Sequence, residues 1–346
     1  MVNQSANSPD NASFRVANPL ATNPVIHLQN LSKIYTVNEQ EAGVTATLGS
    51  IFHRKKIEVP AVSEISFDLA PGEIVGFLGP NGAGKTTTLK MLSGLLYPTR
   101  GDAKVLGYTP WKREKPFLRQ ITLVMGQRNQ LVWDIPAMHS FELNRVIYRI
   151  PRDQYQHTLK ELTELLELDP LLTKPVRNLS LGERMKCEIA AALLHRPNVV
   201  FLDEPTIGLD VTMQQRIRKF IAEYNKRFGA TVLMTSHYMA DVAALCKRVV
   251  VIHHGRLLFD GELSLLLQKF TSHKTIVIQL GECLVDLSNY GEVLSCEGGR
   301  YTLRVPKTET ARITERLLAD PPVIDLLVED PPIEEVISRV FTEWNP

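Results

Sequence analysis

A glycine-rich octapeptide at residues 79–86 limits the possible folds of this chain more strongly than any other segment. It follows the apolar run at residues 74–78 and precedes a helical pattern that begins at Lys85. Glycines let successive backbone N–H groups turn inward around phosphate oxygens, and the helix N-terminus behind them favours negative charge. The lysine adds a positive charge at the terminal phosphates, and the Thr86 hydroxyl is a ligand for Mg²⁺.

This pattern predicts a strand–loop–helix unit that binds a nucleoside triphosphate, with a glycine-rich turn that has no ligand as the alternative. ATP and Mg²⁺ are the expected cofactors. The predicted nucleotide-binding residues of this loop are Gly79, Pro80, Asn81, Gly82, Ala83, Gly84, Lys85, Thr86 and Thr87.

Two carboxylates follow a second strand signal. Residues 199–202 are apolar on both faces, which is typical of a fully buried strand, and Asp203 and Glu204 come directly after them. Ligands of open α/β sheets bind outside the carboxyl ends of the strands. We therefore interpret Asp203 as a Mg²⁺ ligand beside Thr86, and Glu204 as the general base that activates water, a role worth ~10²–10⁴ in rate. Two acids at a strand end without a catalytic role are the alternative.

The organisation of the chain predicts two folded units. Residues 25–267 alternate short apolar runs with helical stretches, which favours an α/β fold with a largely parallel sheet. The local patterns predict strands at residues 25–28, 57–67 and 231–235, helices at residues 140–148 and 157–168, and a hairpin turn at residues 297–300. Residues 1–24 form a polar segment that we expect to be disordered, and residues 268–346 have the texture of a small α+β accessory domain. A long, basic insertion at residues 36–56 interrupts the first unit. It is either a solvated loop or a contact with lipid headgroups or a partner.

Composition excludes several classes of function. The net charge is +1, so no global field favours nucleic acid, and we predict no nucleic-acid partner. The 4 cysteines form no CxxC pair, which fits a reducing compartment. No apolar run approaches the ~18–20 residues that cross a bilayer. The polar N-terminus does not resemble a secretory signal.

A third motif makes the pattern specific. Residues 179–183, Leu-Ser-Leu-Gly-Glu, open a predicted helix that leads to Asp203. Together with residues 203–210 and the Thr-Ser-His triplet at residues 235–237, this segment resembles the ABC ATPases, and the resemblance covers residues 25–267. It implies an ABC-type P-loop NTPase fold, with a RecA-like core, an antiparallel β subdomain and a helical subdomain.

The resemblance also implies a dimer. In the family, the segment that matches Ser180, Gly182 and Glu183 covers the γ-phosphate bound to the opposite subunit, and the loop that matches Asp210 crosses to that subunit. This chain departs from the commonest signature, because Leu181 replaces a glycine and Glu183 replaces a glutamine. Leu181 can still offer its backbone N–H if its φ is negative.

Three further roles follow from the resemblance rather than from spacing. His237 matches the histidine that contacts the γ-phosphate and orients water. Gln127 matches the glutamine that touches Mg²⁺ and senses the transporter. Tyr35 matches the aromatic residue that stacks on adenine, a contact worth ~1–3 kcal/mol.

Residues 124–134 and 179–186 resemble the drug-efflux branch of ABC exporters, both the daunorubicin-resistance-like ATPases and a group linked to viologen-type compounds. The implied function is an ATPase subunit that energises export through a separate membrane permease. It would act as a homodimer bound peripherally at the cytoplasmic face. An importer motor and a ribosome-associated or chromosome-associated ATPase are the alternatives.

Overall fold

The computed structural model describes most of the chain and divides it into two compact units, Met1–Glu262 and Leu263–Pro346. The described residues are 14–15, 23–38, 56–126, 130–281 and 285–343. No helix in these residues is long and apolar enough to cross a membrane.

The strands β1–β15 of the described residues are Phe14–Arg15, Ile26–Asn38, Lys56–Ile65, Asp68–Leu69, Ile74–Leu78, Arg100–Val105, Ile121–Met125, Val199–Asp203, Thr231–Thr235, Arg248–His253, Arg256–Glu262, His273–Leu280, Glu292–Glu297, Arg300–Pro306 and Val323–Glu329. The α-helices α1–α10 are Lys85–Leu92, Lys115–Leu118, Ala137–Tyr148, Arg152–Leu166, Leu181–Leu193, Val211–Phe228, Met239–Leu245, Leu263–Phe270, Thr310–Ala319 and Ile333–Glu343.

A seven-stranded sheet forms the centre of the first unit, in the order β1-β11-β10-β5-β9-β8-β7. Strands β10, β5, β9, β8 and β7 are all parallel. Their residues are short apolar runs because helices cover both faces of such a sheet. The predicted α/β fold with a parallel sheet is confirmed. All the parallel strands end at one edge, and the candidate site lies there.

A second, antiparallel sheet packs against this core. Strand β2 pairs with β3, β4 and β6. The strand β2 is longer than the sequence pattern predicts, because it continues through Asn38 instead of ending near residue 28. The predicted insertion therefore starts inside this strand, where Val37 pairs with Ile57. Residues 39–55 of the insertion lie outside the described residues, so its predicted contacts stay predictions.

The helices of the middle section begin earlier than their apolar periodicity indicates. The helix α3 starts directly after Pro136, and α4 starts directly after Pro151, rather than at the predicted residues 140 and 157. A proline has a fixed φ and needs no hydrogen-bond partner for a backbone N–H, so it suits a helix start. The first turns of both helices are largely polar, and an apolar pattern does not detect them.

The N-terminal segment, residues 1–24, contains a short strand, and the prediction that the segment is disordered stays a prediction. Phe14 and Arg15 form β1 and pair in parallel with Phe259 and Asp260 of β11. Strand β11 would otherwise be the last strand of the central sheet and would present free backbone N–H and C=O groups. Pairing with β1 provides partners for these groups along two residues of β11.

The second unit is a small α+β domain. Its antiparallel sheet has the order β13-β14-β12-β15, and a separate core packs Ile276, Ile278 and Leu303 against α9. The predicted hairpin turn is confirmed, since Gly298 and Gly299 both have positive φ between β13 and β14. This unit begins with α8 at Leu263, so the predicted boundary at residues 267/268 falls inside a helix.

Candidate functional site

The glycine-rich loop connects β5 to α1 at the carboxyl edge of the central sheet. Gly84 caps α1 with a φ of 104°, and a Cβ there would lie 2.4 Å from the carbonyl oxygen of Ala61. A Cβ on Gly79 would lie 2.4 Å from the carbonyl oxygen of Ile252. Both positions therefore require glycine, and the neighbouring strands fix the loop from outside.

Lys85 is folded back onto this loop. Its ammonium donates hydrogen bonds to the carbonyl oxygens of Gly79, at 2.6 Å, and Pro80, at 3.0 Å. Burial lowers the pKa of Lys85, while the nearby carboxylates of Glu204 and Asp203 oppose that shift. The ammonium thus contacts the phosphate loop and is close enough to the two acids to interact with them electrostatically.

The Asp203 carboxylate accepts hydrogen bonds from two threonine hydroxyls, one on each of its oxygens. Its Oδ2 accepts a hydrogen bond from Thr86 Oγ1 at 2.8 Å, and its Oδ1 accepts one from Thr235 Oγ1 at 2.8 Å. A carboxylate beside a threonine hydroxyl is an oxygen donor set of the kind that Mg²⁺ prefers, together with substrate phosphates and water. The arrangement of Thr86 and Asp203 fits Mg²⁺.

Glu204 and His237 meet across the ends of two neighbouring strands. The Oε1 atom of Glu204 lies 2.7 Å from Nε2 of His237. Glu204 follows β8 with a φ of 54°, and its backbone N–H donates to Thr235 Oγ1 at 3.0 Å. A left-handed backbone at a non-glycine residue costs ~1–3 kcal/mol and is typical of functional sites. The contact with His237 is thus made from a strained backbone position directly after β8.

The carboxyl end of β7 lies at the same edge of the central sheet as Asp203 and Glu204. The Gly126 N–H donates to the Asp203 carbonyl oxygen at 2.9 Å, and a Cβ on Gly126 would lie 2.3 Å from the Glu204 carbonyl oxygen. Gln127, the predicted Mg²⁺ contact and sensor, follows immediately but lies outside the described residues. Its role stays a prediction.

Ser180 and Glu183 form a capping box at the start of α5. The Ser180 N–H donates to Glu183 Oε2 at 2.8 Å, and the Glu183 N–H donates to Ser180 Oγ at 3.3 Å. The first of these bonds is the main reason that the pKa of Glu183 lies below its usual range. The Ser180 hydroxyl uses a lone pair in the box and keeps its proton for another acceptor. Glu183 therefore stabilises the start of α5 within its own protomer, and its predicted contact with a nucleotide on a second protomer stays a prediction.

Leu181, which stands where the commonest signature has a glycine, lies close to Gly208. Its Cδ2 atom would lie 3.1 Å from a Cβ on Gly208, and Met213 packs closely on Gly182. Asp210 caps α6 by accepting a hydrogen bond from the Met213 N–H at 2.8 Å. The signature segment and the loop before α6 thus form one local unit, with Leu181 39% exposed.

Tyr35 lies farther along the antiparallel sheet, opposite Val59 of β3. Ala61 lies two residues after Val59 on β3, and its carbonyl oxygen faces Gly84 of the phosphate loop. The Tyr35 ring is partly exposed, and the Lys33 ammonium lies 5.3 Å from its centroid. Tyr35 thus lies on the strand that pairs with β3, the strand that contacts the phosphate loop, and its stacking on adenine stays a prediction.

Sequence reasoning gave no role to Glu188. This acid is buried on α5, and its carboxylate accepts hydrogen bonds from the backbone N–H groups of Gln130, at 2.8 Å, and Leu131, at 3.3 Å. Burial raises its pKa, and these two bonds oppose the rise. The contact joins the segment that follows Gln127 to the signature helix. An acid inside the otherwise apolar face of a predicted helix is the sequence signal that could have identified it.

A phosphate loop, a paired acid and histidine, and a hydroxyl–carboxylate donor set at one sheet edge define a P-loop ATPase. Residues 62–207 match the model of the family described as ABC transporter, and residues 272–329 match the EvrA-like ABC transporter, C-terminal domain. The chain is 35% identical to the ABC transporter ATP-binding protein NatA of Bacillus subtilis over 61% of this chain and 86% of NatA. The chain therefore belongs to the ATP-binding proteins of the ABC transporter family, as the sequence motifs predicted.

Drug-resistance proteins are among the relatives. The chain is 33% identical to the doxorubicin resistance ATP-binding protein DrrA of Mycobacterium tuberculosis, over 63% of this chain and 64% of DrrA. A solved ATP-binding subunit of an ABC transporter has the same fold, with a TM-score of 0.59 and 24% identity over 71% of this chain and 93% of that one. The similarity to DrrA is consistent with the drug-efflux branch, and the solved structure shows the fold.

Proposed function

We propose that this chain hydrolyses ATP as the motor subunit of an exporter, with a separate permease forming the path through the membrane. The observation that carries the proposal is the meeting of four groups at one sheet edge: the phosphate loop with Lys85, the Mg²⁺-compatible pair Thr86 and Asp203, the acid Glu204, and His237. The exported molecule is a small compound, as the names of the drug-resistance relatives suggest for those proteins.

The chemistry follows from the positions of these residues. Lys85 leaves its two carbonyl partners and binds the terminal phosphates, while backbone N–H groups of the loop hold the remaining oxygens. Glu204 accepts a proton from the attacking water, and His237, in contact with that carboxylate, orients the water and the γ-phosphate. Mg²⁺, held by Thr86 and Asp203, with Gln127 as a further ligand, would neutralise the charge that develops on the phosphates.

A second copy of the chain would complete the site. Ser180 and Leu181 are exposed at the start of α5, and Gly208 and Asp210 are exposed beside them. The N-terminus of α5 offers backbone N–H groups and the positive end of a helix dipole, which suits a γ-phosphate held by another protomer. We propose a homodimer in which each signature segment covers the nucleotide bound to the phosphate loop of the other copy, with Tyr35 stacked on adenine.

The permease is proposed to dock on a groove of the first unit. This groove, of about 510 Å³, is lined by residues that include Arg113, Arg119, Tyr148 and Arg149. On α3, the exposed side chain of Ile147, at 61% exposure, also lines this groove, and the neighbouring Val146 is 57% exposed. Exposed apolar area beside a polar rim is typical of a protein interface. A subunit docked in this way would lie peripherally at the cytoplasmic face of the membrane.

Replacing Glu204 tests the proposal. Glu204→Gln keeps the side-chain shape but cannot accept the proton, so we expect ATP turnover to fall by ~10²–10⁴ while ATP binding persists. The variant should accumulate as an ATP-bound dimer, which light scattering with and without ATP and Mg²⁺ would detect. Glu223→Gln, on the exposed side of α6, is the matched control and should keep the wild-type rate. Wild-type turnover by Glu204→Gln would exclude Glu204 as the base.

The permease proposal has its own test. Purification of the chain from membranes should recover a multi-span membrane protein, and charge reversal at Arg119 and Arg149 in the groove should reduce that recovery. Recovery of ribosomal RNA in place of a membrane protein would instead support the non-transport alternative.

A further inference from the structure

A buried ion pair lies beside the two loops that carry Glu204 and His237. Asp241, at the start of α7, is fully buried, and its Oδ1 accepts a hydrogen bond from Nη1 of Arg218 at 2.8 Å. Arg218 comes from α6 and is 14% exposed. Burying a charge pair is costly unless further hydrogen bonds satisfy the ions, and such a pair is weak evidence for stability. The position of this pair beside both loops is therefore the feature to explain.

The other oxygen of Asp241 holds both loops. Its Oδ2 accepts a hydrogen bond from Thr206 Oγ1 at 2.5 Å and another from Ser236 Oγ at 3.0 Å. Thr206 is two residues after Glu204, and Ser236 directly precedes His237. One carboxylate thus fixes the distance between the loop that follows β8 and the loop that follows β9.

The groups that depend on these anchors need external support. Glu204 has a strained, left-handed backbone, which persists only where surrounding contacts determine it. His237 is 39% exposed and comes within 2.7 Å of Glu204, so surrounding side chains do not enclose it. The anchors at Thr206 and Ser236 lie within two residues of this pair and are themselves buried.

We propose that Asp241 and Arg218 are positioning residues that hold Glu204 and His237 in register for hydrolysis. This inference rests on the proposed ATPase function of the same site. Arg218 fixes the Asp241 carboxylate, the carboxylate fixes the hydroxyls of Thr206 and Ser236, and these hydroxyls fix the two reactive side chains. A displacement of about 1 Å at a reacting group can lower a rate by about 10²-fold, so small losses of register have measurable effects.

Two variants of different severity test the proposal. Thr206→Val keeps the side-chain shape and removes one hydroxyl from Asp241, and Arg218→Met removes the cation. We expect kcat for ATP to fall by about 10-fold in each, with KM changed by less than about 3-fold, because Lys85 and the phosphate loop remain intact. Arg216→Met is the matched control, since Arg216 lies on the same helix and pairs with Glu167 at an exposed position. It should keep the wild-type kcat.

A double variant separates positioning from a purely structural role. If Thr206 acts through Glu204, Thr206→Val should lower the residual rate of Glu204→Gln by less than about 2-fold. A merely structural defect would lower the fraction of folded protein equally in both backgrounds. If Arg218→Met does not fold, Thr206→Val alone decides the outcome.

The measurements distinguish a failure of the positioning role from a failure of the proposed ATPase function. Wild-type kcat in folded Thr206→Val and Arg218→Met, or a rise in KM with unchanged kcat, overturns the positioning role and leaves the ATPase function intact. An inactive wild-type protein, or equal turnover by wild type and Glu204→Gln, overturns the proposed function itself.

Discussion

The buried ring of His195 makes the stability of the protein depend on pH. Its ring stacks on Tyr148, with 3.9 Å between centroids and 8° between planes, and its Nε2 lies 3.1 Å from the carbonyl oxygen of Ile121. The contact with a carbonyl assigns the Nε2–H tautomer to the neutral ring. Burial lowers the pKa of His195 to about 4.

The lowered pKa predicts that the protein loses stability as the pH falls from about 6.5 to about 4, because the unfolded chain binds the proton first. The full loss amounts to about 3 kcal/mol of unfolding free energy at the lower limit. Urea denaturation at several pH values measures it. His195→Gln should remove this part of the pH dependence. An unchanged pH slope in His195→Gln would contradict the assignment.

At the residue scale, the sequence predicts chemistry where a motif fixes spacing. Lys85, Asp203 and Glu204 converge because a loop and a strand end deliver them to one sheet edge. Asp241 and Glu188 were missed, since their partners are distant along the chain and only the fold brings them together. An isolated acid on a helix gives no sequence sign of which loop it holds.

At the scale of the elements, α5 holds the segment after β7 through Glu188. Glu188→Ala would leave the N–H groups of Gln130 and Leu131 without their acceptor, so we expect the unfolding free energy to fall by about 1–3 kcal/mol. Glu188→Gln retains one acceptor oxygen and should lose less. Thermal unfolding at neutral pH measures the difference, with Glu164→Ala on the exposed face of α4 as control. Equal losses in the Ala and Gln variants would argue against the backbone contact.

Element boundaries were predicted less well than element types. Buried parallel strands such as Val199–Asp203 and Thr231–Thr235 have continuous apolar runs, and the sequence located them within a residue. The strand β2 was shortened in the prediction, because its exposed half, including Tyr35 and Thr36, gains order from pairing with β3 and not from burial. Pairing partners across a long loop leave no local signal.

At the scale of the whole molecule, separate cores predict separate unfolding events. Leu303 is fully buried in the core of the second unit, and Leu233 is fully buried in the central sheet. A Leu→Ala change at either position should cost about 2–5 kcal/mol. ATP with Mg²⁺ should stabilise only the unit that binds it. In calorimetry, Leu303→Ala should lower a transition that ATP does not shift, and Leu233→Ala should lower the one that it does. A single transition affected by both variants would show that the units unfold together.

The two-residue strand β1 has a consequence for handling the protein. Phe14 and Arg15 cap the outermost strand of the central sheet. A shortened version that starts after residue 15 would leave the backbone donors and acceptors of β11 open to solvent, and an open border of this kind recruits strands from other molecules. Loss of solubility after trimming the N-terminus would then reflect an uncovered sheet border, even though ATP chemistry takes place elsewhere in the domain.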